Sequence, residues 1–182
     1  MQVKEAVLLA ATQLGIVDKI QECLDYDTTE GKEELDLLIT CFNVVENELA
    51  LDYLPLYQEE ELQSLTGKIN YAMLKRTAVR ILQVTDADDN SLKFTIFPDC
   101  FKTQAGKIKV SYNYMPQEKS VVEKSDYETL SPRLFAYGMA AEYATVKGLY
   151  EEANVWDKKY KEAVQAAYKL RPFVQMRSRR WV

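Results

Sequence analysis

The sequence predicts an α+β protein: an α-helical bundle with a small antiparallel β-meander inserted between N-terminal helices and two C-terminal helices, then an extended C-terminal tail. Three observations predict it. Apolar residues recur at helical spacing over the first fifty or so positions and again from 131 to 170. Between these blocks, apolar and polar residues alternate with the period of two that marks half-buried strands. After Leu170 both patterns stop. The expected organisation is one domain over 1–170, with N-terminal helices at 1–55, the meander at 62–116 and C-terminal helices at 131–170. Residues 171–182 form the tail.

Each element has its own signal. Residues 2–14 place Val3, Val7, Ala10 and Leu14 on one helical face, and Gly15 supplies a stop. Residues 17–25 continue with Val17, Ile20 and Leu24. Asp27-Thr-Thr-Glu-Gly31 is a loop leading to the strongest N-terminal helix, about 31–53. Its stripe is Leu35, Leu38, Ile39, Phe42, Val45 and Leu49, with Glu34, Asn43, Asn47 and Glu48 off it. Pro55 ends it, because the residue before a proline is biased out of the helical region.

In the middle, Lys107–Tyr114 turns Ile108, Val110, Tyr112 and Tyr114 to one side and Lys107, Lys109, Ser111 and Asn113 to the other. Leu92–Phe97 and Val79–Val84 read as two more strands, and Ile69–Leu74 as a further one. Asp86–Ser91 and Thr103–Gly106 are the expected turns. Met115-Pro116 ends the sheet, and Gln117–Lys124 is a polar connector.

Ser131-Pro132 is a start signal for a helix over 133–147. That helix is apolar most of the way round, through Leu134, Phe135, Tyr137, Ala140, Ala141, Ala144 and Val146, so something must cover it on several sides. Gly148 interrupts, and 151–169 follows with a narrower stripe of Trp156, Tyr160, Ala163 and Ala167.

Charge divides the chain unevenly. The net charge is −5, yet residues 171–182 alone carry +4, leaving −9 for the remainder. An acidic body repels phosphates and argues against broad nucleic-acid binding. The three cysteines, Cys23, Cys41 and Cys100, are widely separated, so a reducing compartment of synthesis is expected. Val3-Lys-Glu-Ala6 does not resemble a signal peptide, and no apolar run reaches the length of a membrane span.

Catalytic patterns are hard to find. The chain has no histidine, which removes Ser-His and Cys-His pairs and histidine-ligated zinc. Asp86-x-Asp88-x-Asn90 begins like a calcium loop, but Ser91 and Phe97 stand where glycine and glutamate are needed, so a hairpin loop is expected. Gly67-Lys68 lacks the upstream glycine of a phosphate loop. Glu59-Glu60-Glu61 and Glu33-Glu34 read as solvated charge runs. No catalytic, cofactor or metal residue is assigned. The twelve tyrosines are divided between core and interface, with Tyr150, Trp156 and Tyr160 the better interface candidates.

The tail, Phe173-Val-Gln-Met-Arg-Ser-Arg-Arg-Trp-Val182, admits a solvated end, a nucleic-acid contact or a protein-docking segment. Arginines pair with phosphates and Trp181 can stack on bases. Phe173, Met176 and Trp181 interleaved with Arg177, Arg179 and Arg180 have the composition of interface anchors, which favours docking into a protein.

Leu130-Ser-Pro-Arg-Leu-Phe-Ala-Tyr-Gly-Met-Ala-Ala-Glu-Tyr-Ala144, followed by Tyr150-Glu-Glu-Ala-Asn-Val-Trp-Asp-Lys-Lys-Tyr-Lys-Glu-Ala163, resembles the two C-terminal helices of tailed-bacteriophage head–tail connectors. This group comprises the adaptor rings and tail tubular protein A. Ala6–Gly15 and Leu35–Tyr53 also sit where helices of that family sit. The resemblance implies a non-enzymatic virion protein in the neck, made in the host cytoplasm. It would form a twelvefold ring of itself between the portal vertex and the tail and line the DNA exit channel. Its partners would be the portal protein, a downstream tail or nozzle protein and, transiently, passing DNA. The tail residues Phe173, Met176, Arg177, Arg179, Arg180 and Trp181 would enter the portal. Leu134, Tyr137, Gly138, Ala141, Trp156 and Tyr160 would pack adjacent subunits. A tail-terminator or an accessory nucleic-acid-binding protein is the alternative.

Overall fold

A computed structural model describes residues 1–26 and 28–169. Three helices come first: α1 (Val3–Gln13), α2 (Val17–Tyr26) and α3 (Lys32–Glu48), the last prolonged by a π-helical turn over Leu49–Tyr53. Six strands follow: β1 (Leu56–Ser64), β2 (Lys68–Asn70), β3 (Thr77–Asp86), β4 (Thr95–Ile96), β5 (Cys100–Lys102) and β6 (Gly106–Met115). Two helices close the described chain, α4 (Pro132–Val146) and α5 (Tyr150–Lys169). The class is α+β, with antiparallel strands between helices. The tail lies outside the described residues.

α4 is the central helix. It packs against α1, α3 and α5. Phe135 stacks on Phe42 of α3, with centroids 5.1 Å apart, while Tyr137 stacks on Trp156 of α5 at 6.0 Å. Ser131 caps the helix by accepting the Arg133 N–H at 3.3 Å, and Pro132 occupies the first turn, where its missing N–H costs nothing. At Gly138 the helices come close. A Cβ there would lie 2.9 Å from both γ-carbons of Val45 and 3.1 Å from the Tyr160 ring. The start of α3 depends on Gly31, whose φ is +86° and whose Cβ would meet the Lys19 carbonyl at 2.9 Å.

The strands depart from a simple meander. They form two three-stranded sheets, ordered β1-β6-β3 and β2-β5-β4, so the long strands pair across the sequence and the short ones are enclosed between them. Among the described strands only β4 and β5 pair as sequence neighbours. β6 is central and alternates as expected, with Ile108, Val110, Tyr112 and Tyr114 buried. β3 shifts register twice, between Ala78 and Arg80 and between Ile81 and Gln83. Two bulges bend it and leave Val79 and Leu82 exposed. Of Leu92–Phe97 only Thr95–Ile96 is strand, and Ile69–Leu74 divides into β2 and a 3₁₀ turn at Tyr71–Met73.

Glu59–Glu61, expected as a solvated charge run, lie within β1. Glu60 is 5% exposed and occupies a core-facing position. Its carboxylate accepts the Tyr112 hydroxyl and the Lys75 N–H, the latter at 3.0 Å. A buried carboxylate with these donors replaces the apolar residue that the strand pattern calls for.

The described residues form two apolar clusters. One lies among the helices and the other between the sheets, where Ile69, Phe101, Val84, Val110 and Tyr112 meet. Leu56 packs against both.

Candidate interaction site

The residues expected to join subunits are brought together, but within one chain. Leu134, Gly138, Ala141 and Tyr160 are buried along the α4–α5 seam. Tyr137 and Trp156 are half-buried and stack on each other, and the Lys159 ammonium sits 4.1 Å from the Trp156 ring centroid. The neighbours that the broad apolar surface of α4 requires are therefore α1, α3 and α5 of the same protomer. Exposed apolar side chains are found on the outer helices and on the strands and loops, Leu65 and Ile96 among them. Tyr150 is 68% exposed at the start of α5. The proposed portal-docking residues, Phe173, Met176, Arg177, Arg179, Arg180 and Trp181, lie outside the described residues.

The polar connector Gln117–Lys124, with Ser125 and Tyr127 that follow it, ties several elements together. The Val3 N–H donates to the Glu123 carbonyl at 3.1 Å, and the Ser125 N–H donates to the Met1 carbonyl at 3.1 Å. Asn43 of α3 accepts the Lys119 N–H at 2.7 Å and donates to its carbonyl at 3.1 Å. The Tyr127 hydroxyl donates to the Leu54 carbonyl at 2.6 Å.

Beneath this strap lies a buried polar joint. Glu46 of α3 is 1% exposed and accepts the Ser125 hydroxyl at 2.6 Å and the Asp126 N–H at 2.9 Å. Asp126 pairs with Lys119 at 2.8 Å and with Arg76, from the loop before β3, at 3.7 Å. Arg76 also lies over the Tyr114 ring of β6 at 5.4 Å. Helix, strap and sheet thus share one network. Burial pushes the Glu46 carboxyl above the ordinary glutamate range, opposed by its two hydrogen bonds and by Lys119. Glu46 carries no signal of this role in the sequence, although it lies between Phe42 and Leu49 at a helical angle next to the apolar stripe.

A second carboxyl is shifted at the α3–α5 contact. Burial raises Glu48, the Tyr160 hydroxyl it accepts lowers it, and the charges of Glu142, Asp52 and Asp157 raise it further. Cys41, on the α4 side of α3, is pushed up to about 12 by burial and by Glu142. All three cysteines are free and buried. The Asp86 carboxylate accepts the N–H groups of Asp88 and Asn90, each at 2.9 Å, so it shapes the turn that its loop was expected to form. Among the described residues no cluster of three or more metal-binding side chains occurs, and no helix is long and apolar enough to cross a membrane.

No family model matches this sequence, and comparison with curated proteins finds no match.

Proposed function

We propose that this protein is a structural, non-enzymatic component of the neck of a tailed bacteriophage. It forms a ring that joins the portal vertex to the tail and surrounds the path of exiting DNA. The observation that carries this reading is the arrangement of the helical unit. α4, apolar most of the way round, is largely covered within the protomer, which frees the outer faces of α3 and α5 for contacts between protomers, and α5 leads directly into the basic, aromatic tail. The small antiparallel sheets inserted between the helices fit the role of a part that meets the tail machinery.

The buried carboxylates support the same reading. Glu46 and Glu60 are held by hydrogen bonds within the protein and connect one element to another, a structural use of groups that could otherwise serve chemistry. The acidic body would present passing DNA with a surface of like charge.

The test is association with purified portal rings, followed by mass measurement. The full chain should add copies to the portal in a fixed ratio. A chain ending at Leu170 should fold with unchanged circular dichroism and fail to join. A truncated chain that joins as well as the full one would remove the docking role of the tail. A full chain that never joins would remove the connector reading.

A further inference from the structure

Charge is spread unevenly along the body of the protein. Residues 1–64 hold fifteen acidic and three basic side chains, whereas residues 65–112 hold eight basic and four acidic ones. Three exposed lysines of the second stretch fall on the small sheet, β2-β5-β4, and the segment leading into it. That sheet has one side for the core and one for solvent. Ile69 and Phe101 are register partners, fully buried in the cluster between the sheets. By alternation Lys68 and Lys102, also register partners, stand on the other side, and both are exposed. Thr95 pairs with Lys102 and shares that side. Lys93 lies between Leu92 and Phe94, which pack toward the core, so it points outward with Thr95. Asn70, exposed on β2, completes the set.

Like charges placed directly opposite on adjacent strands destabilise a sheet. Nothing offsets this at Lys68 and Lys102, since neither they nor Lys93 pair with a carboxylate among the described residues. Lys102 lies over the ring of Phe97, 5.2 Å from its centroid. In the loop before Lys93, Asp86 is held by the N–H groups of Asp88 and Asn90, and Asp89 by Lys109 at 2.9 Å. Asp88 in that loop and Asp99 in the β4–β5 turn are exposed carboxylates without a cationic partner among the described residues. Three ammonium groups, an amide and a hydroxyl thus share one face that contains no carboxylate on its strands.

We propose that the outward face of the small sheet binds the phosphate backbone of duplex DNA. This rests on the connector reading above, which brings DNA past the protein, and names the part that touches it. Lysine, threonine and asparagine are side chains that contact phosphates, and such contacts carry no base information, so the binding is independent of sequence. The acidic remainder of the body keeps DNA from adhering elsewhere. A contact limited to a few ammonium groups is weak and salt-sensitive, which suits a surface that DNA must slide past. The lysines come from three segments and spread across the sheet, over strands about 4.8 Å apart, rather than along one line. That breadth fits the wall of a duplex better than a single acidic peptide.

The experiment titrates the full chain against a labelled duplex of random sequence over a salt series. The proteins are the wild type, a triple variant with Lys68→Gln, Lys93→Gln and Lys102→Gln, and Asp99→Asn. All four positions are exposed, and circular dichroism checks the fold. The wild type should bind at low salt. The triple variant should bind at least about tenfold more weakly, and its slope of log affinity against log salt should be smaller by about 2.7, three contacts at about 0.9 each. Asp99→Asn removes a repelling charge and should bind roughly twofold more tightly. Unlabelled duplex should displace the label better than poly-glutamate at equal charge. A triple variant that binds like the wild type would move the contact to the arginine tail and overturn the proposal. Equal displacement by poly-glutamate would overturn DNA as the occupant. Each protein is also mixed with portal rings, which the triple variant should join as the wild type does. A wild type that joins the portal without binding DNA overturns this inference alone, and one that does neither overturns the connector reading as well.

Discussion

Tyr160, in the middle of α5, donates its hydroxyl to Glu48 at the end of α3 across 3.2 Å. The tyrosine is 3% exposed and its ring closes over Gly138. Its hydroxyl is raised well above the ordinary tyrosine range, first by burial and then by the Glu48 charge, so it remains a donor throughout the physiological range. Tyr160→Phe keeps the ring and removes the donor. The expected loss is about 1–2 kcal/mol, that of a hydrogen bond to a charged group whose partner stays partly solvated. Urea unfolding of the two proteins measures it.

Gly138→Ala adds one carbon where 2.9 Å is available on the Val45 side. Overpacking of this kind costs about 1–3 kcal/mol. Val45→Ala should be destabilising alone, because it opens a cavity, yet should lessen the cost of the added methyl. A double-mutant cycle should therefore show a favourable coupling of at least about 0.5 kcal/mol. Strict additivity would mean that the helices do not meet at this point.

The pH dependence of stability should carry a signature of Glu46. Its carboxyl is raised in the folded state. The folded protein thus holds this proton more tightly than the unfolded chain. The resulting stabilisation is complete below the ordinary glutamate value of about 4.3 and is lost as pH rises through the folded value. Glu46→Gln cannot ionise and can still accept from Ser125 and Asp126 through its amide oxygen. Stability of the variant minus that of the wild type should increase with pH over that window. A flat difference from pH 4 to 8 would show that Glu46 titrates normally.

Cys41 should be inert toward thiol reagents in the folded state. The residue is 3% exposed and its thiol is pushed up to about 12, so almost no thiolate forms at pH 8. Alkylation followed by peptide mass mapping should find Cys41 unmodified in native protein and modified in urea. Rapid native labelling would place α3 further from α4 than described.

Legibility in the sequence followed the regularity of the local pattern. The stripe from Leu35 to Leu49, the alternation in β6 and the Ser131-Pro132 cap all lie where the residues place them, because each depends on neighbours within a turn or two. β1 was obscured by Glu60, a charged residue in a core-facing position whose partner, Tyr112, lies far away in sequence. The strand order was equally hidden, since pairing β1 and β3 to β6 is a long-range choice that no local signal records. For α4, periodicity told that several sides are covered. It could not tell that α1, α3 and α5 of the same chain cover them, so Leu134, Gly138, Ala141 and Tyr160 were given to a neighbouring subunit. The polar joint was missed because one carboxyl beside an apolar stripe looks the same whether it meets solvent or Ser125.

The position of α4 also sets a timetable for synthesis. α1 and α3 depend on a helix whose first residue, Pro132, is translated more than a hundred positions after α1 ends. At ordinary elongation rates that delay is on the order of ten seconds. During it Val3, Val7 and Phe42 lack the surface they will finally bury against, while β1 to β6, complete by Met115, can already pair. The nascent chain must therefore carry an open helical groove past the ribosome, and a chaperone that binds short apolar helices would find its target there.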